Sequence, residues 1–531
     1  VKLSAFLATS LLALAAPGAA QAKTLIYCSE GSPEGFDSAA YTSGTTFDAS
    51  ARPLFNRLVE FKPGTTEIEP GLAESWEVSE DGLEYTFHLR PGVKWHSAEG
   101  YTPTREMNAD DVIFSFERQG QAGHPWNQYI PGISYEYYNS MAMGDLIKSI
   151  DKIDDHTVKF VLNQPEAPFM ANLAMAFASI VSKEYADHLE QAGTKELMNT
   201  QPVGTGPFKF VAYQKDAVIR FQKNPDFWGE PAKIDDLVFA ITPDAAVRLQ
   251  KLQAGECHIM PYPAPADIAA LKADPNLTVM EQPGLNVAYL AWNTTQAPFD
   301  KAEVRKALNM ALNKQAMVDA VFQGMGEVAK NPIPPTMWSY DDSIQDDPYD
   351  PEASKAALEA AGVKDLSVKI WAMPVQRPYM PNARRVAEMF QEDLSKVGVK
   401  AEIVSYEWGE YLKKSMEPER DGAVILGWTG DNGDPDNFLS VLLSCDAAKD
   451  GANRAFWCNE EFSALLDKAK QSSDQEERTK LYQEAQKIFK DQAPWATLAH
   501  STVVMPMSSK VTGYVMDPLG QHLFDNVDIA E

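Results

Sequence analysis

GLAESWEVSEDGLEYTFHLRPGVKWHSAEGYTPTREMNADDVIFSFER, residues 71–118, carries two periods in succession. Across Tyr85-Thr86-Phe87-His88-Leu89, aromatic and apolar residues alternate with polar ones, the period of a half-buried strand, and Gly82 and Pro91-Gly92 punctuate the run. From Ala109 to Arg118 the period becomes helical: Val112, Ile113 and Phe116 share a face, and Asn108 stands where a cap belongs. Strand followed by helix predicts a mixed α/β chain.

Outward from this stretch the mixture repeats. Lys23 to Tyr27 is a β-type run ending at Cys28, after which Gly31, Pro33 and Gly35 force a loop. Asp300 stands as the cap of a helix with the stripe Val304, Leu308, Ala311 and Leu312, and Asn382 as the cap of one using Val386, Met389, Phe390 and Leu394. β-like runs lie at Val287–Trp292, Ser367–Trp371, Ala401–Val404 and Ala423–Trp428. Helices from Glu461 to about Lys490 precede a late strand at Thr497–Met505. Interleaved strands and helices without low complexity or long linkers predict intimately joined α/β lobes.

The opening residues, VKLSAFLATSLLALAAPGAAQA, combine Lys2, an apolar stretch from about Ala5 to Ala16 and the small-residue ending Ala20-Gln21-Ala22, which reads as a signal peptide cleaved after Ala22. The stretch is shorter than the roughly 20 residues that cross a bilayer. A lipid anchor would need cysteine at the cleavage site, and the first is Cys28. The expected compartment is therefore a periplasm. The 531 residues less these 22 leave 509, more than one core usually organises. A formal charge of −28, or −29 without Lys2, argues against a nucleic-acid partner. Cys28, Cys257, Cys445 and Cys458 allow three pairings in an oxidising compartment. Cys28 with Cys257 and Cys445 with Cys458 is favoured, the second closing a short loop.

Catalytic constellations are missing from the short-motif record. There is no Gly-x-Ser-x-Gly elbow, no His-Glu-x-x-His and no Gly-Lys phosphate loop, while Val203-Gly204-Thr205-Gly206-Pro207 departs at once from the dinucleotide fingerprint. Asp431-Asn432-Gly433-Asp434-Pro435-Asp436-Asn437 has the look of a calcium loop but neither its spacing nor its closing glutamate. The reading is of a binding protein: not an enzyme, no cofactor and no metal site.

Several of these stretches together resemble the family 5 extracellular solute-binding proteins of ABC import. The segments are Gly71 to Trp76, Tyr85 to Arg90, Val93 to His96, Asn108 to Val112, Gly204 to Phe208 and Asn224 to Trp228. The resemblance implies a two-lobed periplasmic-binding-protein fold, type II and cluster C-like, with a small domain inserted in the first lobe. Lobe I would run over 23–281 plus 501–531 with the insertion at about 55–190, and lobe II over 282–500, with hinge crossovers near Gln282 and His500.

Within the family the likeness is strongest to its dipeptide-binding branch, on Tyr27 to Phe36 with Thr42 to Thr46, Trp371 to Tyr379, and Gly427 to Asn437. The cysteines match that branch too. By this resemblance Asp431 pairs with a ligand's α-ammonium and Arg377 with its carboxylate, and Thr42, Pro378, Tyr379, Trp428, Thr429 and Gly430 line the site. Read alone, Arg377 is a loop arginine and Asp431 a turn residue; only the clusters give them roles. The implied partners are a dipeptide and an inner-membrane ABC importer permease, with haem or a chemoreceptor as further candidates and a monomeric receptor. Longer peptides, glutathione or another metabolite are alternative ligands. A secreted peptidase or chaperone is the alternative of another class.

Overall fold

Asn286–Trp292 and Ala423–Thr429 are the most apolar strands of the chain, and they pair antiparallel at the centre of its largest sheet. Strands buried on both faces show no alternation, which is why these two read as continuous apolar runs. The computed structural model describes residues 22–530, so the signal-peptide reading lies outside the described residues apart from Ala22.

The sheet has seven strands. Ser367–Trp371 joins it parallel to both Lys400–Val404 and Ala423–Thr429. Its other side is built on Trp495–Ser508, whose first part pairs with Asn286–Trp292 and whose last part pairs with Leu277–Pro283. One strand thus threads two regions. Isolated bridges from Ile259 to Tyr27 and Met507 lead on to a four-stranded sheet in which Thr24–Tyr27 lies parallel to Asp236–Ala240. A further four-stranded antiparallel sheet, from residues 73–162, holds the alternating strand Glu84–Leu89. The structure is a mixed α/β chain whose separate sheets are linked through Trp495–Ser508 and the Ile259 bridges.

Helix Ala109–Gly120 starts where expected: the Asn108 side chain accepts from Asp110 N–H, and the Asp111 carboxylate accepts from Asn108 N–H in return. Asn382 likewise caps Ala383–Lys396 by accepting from Arg385 N–H. Asp300 does not cap its helix. That helix begins at Ala302 after Lys301, because Asp300 still belongs to the preceding turn, its N–H donating to Gln296 O. The long helical run divides into Glu460–Gln471 and Gln475–Gln492. Cys28 pairs with Cys257 and Cys445 with Cys458, at Cα separations of 5.8 and 4.4 Å.

Arg118 at the end of its helix forms a two-pronged bond to Asp37 at 2.6 and 2.7 Å, and Tyr129 OH donates to the same carboxylate. Arg118 and Asp37 are both fully buried. Burial alone would raise the Asp37 pKa, but Arg118 more than offsets it and holds the carboxyl below its usual range. Its stabilising part is therefore complete above the unfolded value of 3.8 and lost only as pH falls through the depressed folded value. Arg118→Ala would strand that carboxylate and is expected to cost about 3–5 kcal/mol. Urea unfolding followed by tryptophan fluorescence checks this, and an unchanged midpoint contradicts it.

Candidate ligand-binding cleft

Three stretches from distant parts of the chain meet around one cavity. Thr42 and Ser43 lead into the short helix Gly44–Ala49; Arg377, Pro378 and Tyr379 form a tight loop; and Trp428, Thr429 and Asp431 lie at and just beyond a strand end. Leu519, Gly520 and Gln521 complete the wall. Asp431 and Arg377 therefore open onto the same space.

The Arg377 loop is held from within and without. Arg377 and Met380 exchange backbone hydrogen bonds of 3.1 and 2.9 Å, and Ser501 Oγ donates to Pro378 O at 2.6 Å. The guanidinium ion-pairs with buried Glu30 and lies over the Tyr262 ring. Burial works to lower its pKa, and Glu30 reverses that to a net rise, so Arg377 stays a cation. Gly44 permits the approach: a Cβ there would sit 2.5 Å from Arg377 Nη2.

Asp431 is placed by the turn that follows it. Asn437 Oδ1 accepts from Asp431 N–H at 2.8 Å and from Trp428 Nε1–H at 3.0 Å. Asn432 and Asp434 accept from backbone two residues on, and Arg478 binds Asp434 at 2.8 Å. The calcium-like segment is thus a self-bonded turn, and no group of three or more His, Cys, Asp or Glu able to hold a metal occurs among the described residues. The Asp431 carboxylate accepts from Tyr137 OH, whose ring stacks on Phe47. Burial raises its pKa to about 7 despite the lowering effects of Tyr137 and Arg52. The cavity wall thus holds a carboxyl whose pKa is raised toward neutrality and a permanent cation.

Seven of the eight singled-out residues line this cavity: Thr42, Arg377, Pro378, Tyr379, Trp428, Thr429 and Asp431. Gly430 is not among them. Its N–H donates to Leu285 O at 2.8 Å, and a Cβ would collide with Phe438 and Leu285, so its close backbone approach is to its own lobe. Residues not anticipated also face the cavity, among them Asp48, Arg52, Trp408, Arg454 and Gln521. Nothing in their local sequence marks them. Trp408 Nε1, Arg454 Nη1, Gln521 Nε2 and Thr429 Oγ1 are buried with no hydrogen-bond partner among the described residues, a costly state that an acceptor-bearing ligand would relieve.

Residues 67–450 match the family described as bacterial extracellular solute-binding proteins, family 5 Middle. The chain is 57% identical over 524 residues to the dipeptide-binding protein of Escherichia coli, covering 98% of each. It is 49% identical to heme-binding protein A of Haemophilus influenzae, over 95% of this chain and 92% of that one. A solved dipeptide-binding protein of Pseudoalteromonas sp. SM9913, in complex with Met-Leu, superposes with a TM-score of 0.91 at 39% identity, over 96% of this chain and 100% of the other. With the fold, the paired lobes and these matches in agreement, the chain belongs to the family 5 bacterial extracellular solute-binding proteins.

Proposed function

We propose that this chain is a periplasmic receptor that takes a dipeptide between its lobes and hands it, chemically unchanged, to an inner-membrane ABC importer. The observation that carries the reading is the shared cavity of Asp431 and Arg377. The dipeptide-binding relative at 57% identity and the structural neighbour holding Met-Leu support it. Asp431 takes the α-ammonium, and Arg377 takes the α-carboxylate with the guanidinium N–H groups not given to Glu30. Thr42, Pro378, Tyr379, Trp428 and Thr429 surround the peptide, and Gly430 keeps the strand end packed behind it. The partnerless donors of Trp408, Arg454 and Gln521 suit peptide and terminal oxygens. A third residue would carry the carboxylate about 3.3 Å farther, so the two ends together read length.

Lobe I in this reading comprises 23–281 plus 501–531, with the insertion at about 55–190, and lobe II comprises 282–500. The crossings are bonded to each other, which supports a hinge there: Gly284 N–H donates to Ser501 O at 2.8 Å, and the Asn286 side chain bonds Ser501 N–H and Oγ. A ligand touching both lobes shifts the equilibrium toward the closed form that the importer reads. One monomer serves one importer.

Haem is a second candidate cargo, favoured by the Haemophilus relative. The cavity wall offers Tyr262, Tyr289 and Tyr379 as axial oxygen donors and carries neither His nor Cys. A Soret shift abolished by saturating Ala-Ala would locate haem in this cavity.

Calorimetry with Ala-Ala tests the main reading. Arg377→Ala and Asp431→Ala are each expected to weaken binding by at least about 30-fold, since each strands one buried charge. N-acetyl-Ala-Ala and Ala-Ala-amide should lose binding to the unsubstituted protein in the same way. Full affinity in either variant overturns the two-ended clamp.

The raised Asp431 pKa adds a sign. An arriving ammonium favours the carboxylate, so below pH about 7 binding expels a proton, and affinity is expected to fall by up to about tenfold per pH unit. Titrations in buffers of different ionisation heat measure that proton. Affinity constant from pH about 7 to about 5 would place the ammonium elsewhere.

A further inference from the structure

Arg52 faces the ligand cavity and is nine-tenths buried, yet its guanidinium has no hydrogen bond, ion pair or ring contact among the described residues. The other cavity-lining cations are engaged: Arg377 with Glu30, and Arg454 with Ser415 Oγ at 2.9 Å and Glu136 at 3.5 Å. Asp517, Glu60 and Asp48 act on Arg52 only from beyond ion-pair distance, and neighbouring Arg57, itself bonded to Glu60 and Ala51 O, opposes it. A buried cation in this condition is costly unless something anionic reaches it.

Its place along the cavity is set by the short helix before it. Gly44 at the helix start abuts Arg377. Phe47, a turn later, stacks on Tyr137, which bonds Asp431, and Arg52 N–H donates to Phe47 O. Arg52 is thus tied through Phe47 and Tyr137 to Asp431, whose carboxyl feels its charge. Asp517, next to the cavity-lining Leu519-Gly520-Gln521, also feels it, His522 on the other side feels Arg377 and then Arg52, and Gln521 Nε2 is a second donor with no partner among the described residues.

An incoming ammonium would add a second cation to a wall where Arg52 already stands without an ion-paired carboxylate, Asp48 and Asp517 lying beyond ion-pair distance. A second carboxylate on the same ligand residue restores the balance. The geometry points to a subsite, formed by Arg52 with the Gln521 amide, that binds a side-chain carboxylate on the ligand's first residue, so that dipeptides beginning with Asp or Glu are preferred. This rests on the dipeptide reading above.

The test compares Glu-Ala with its neutral isostere Gln-Ala, and with Ala-Glu and Ala-Ala, by calorimetry on the full chain. Glu-Ala is expected to bind about ten- to a hundredfold more tightly than Gln-Ala, the scale of one charge-assisted contact. In Arg52→Gln that ratio should fall to about one, and Arg52→Lys should restore part of it. If no dipeptide binds, the dipeptide reading itself fails. If Ala-Ala binds but Glu-Ala and Gln-Ala are equal in the unsubstituted protein, the subsite alone is wrong. A ratio that survives Arg52→Gln, or a preference for Ala-Glu over Glu-Ala, overturns the assignment to Arg52 or to the first residue.

Discussion

A charge withdrawn from water must be met by an opposite charge or by several hydrogen bonds, and in this chain the partner repeatedly comes from across the cleft. Glu30 meets Arg377, Tyr137 meets Asp431, and Glu136 meets Arg454. Each pair joins a residue before position 282 to one after it. The contacts that bring the two sides together are thus the ones that orient the groups facing the cavity, and the approach of the sides and the shape of the site are a single arrangement.

The connection between the sides is economical. Trp495–Ser508 pairs with strands on both, and Asn286 fastens its midpoint through Ser501. In the proposed hinge, a strand continuous through the junction would resist shear between its neighbours more than bending and so would channel relative motion into a rotation.

Much of the α/β character was legible because it lies in local periods: the alternation at Tyr85–Leu89, the capped helix after Asn108, and the unbroken apolar runs of the central sheet. The error at Asp300 came from a cap-type residue one position before the actual cap, Lys301, in a turn that composition does not distinguish from a helix start. Asp431 and Arg377 could be named only because whole clusters around them resembled a family; each by itself is an ordinary polar loop residue. Arg52 was not legible at all. Its importance lies in what fails to surround it, and only three-dimensional neighbours reveal that. Gly430 shows the converse, a residue inside a recognised cluster whose backbone faces the core.

The two extremes of the described chain meet at the cavity's back. Tyr27 packs against His522 and Phe524, while Leu519 to Gln521 form part of the ligand wall. During synthesis the acidic and basic anchors emerge well before this closing segment. A polypeptide ending before Leu519 would lack that part of the wall, so the enclosure of the cavity depends on the last residues to be made.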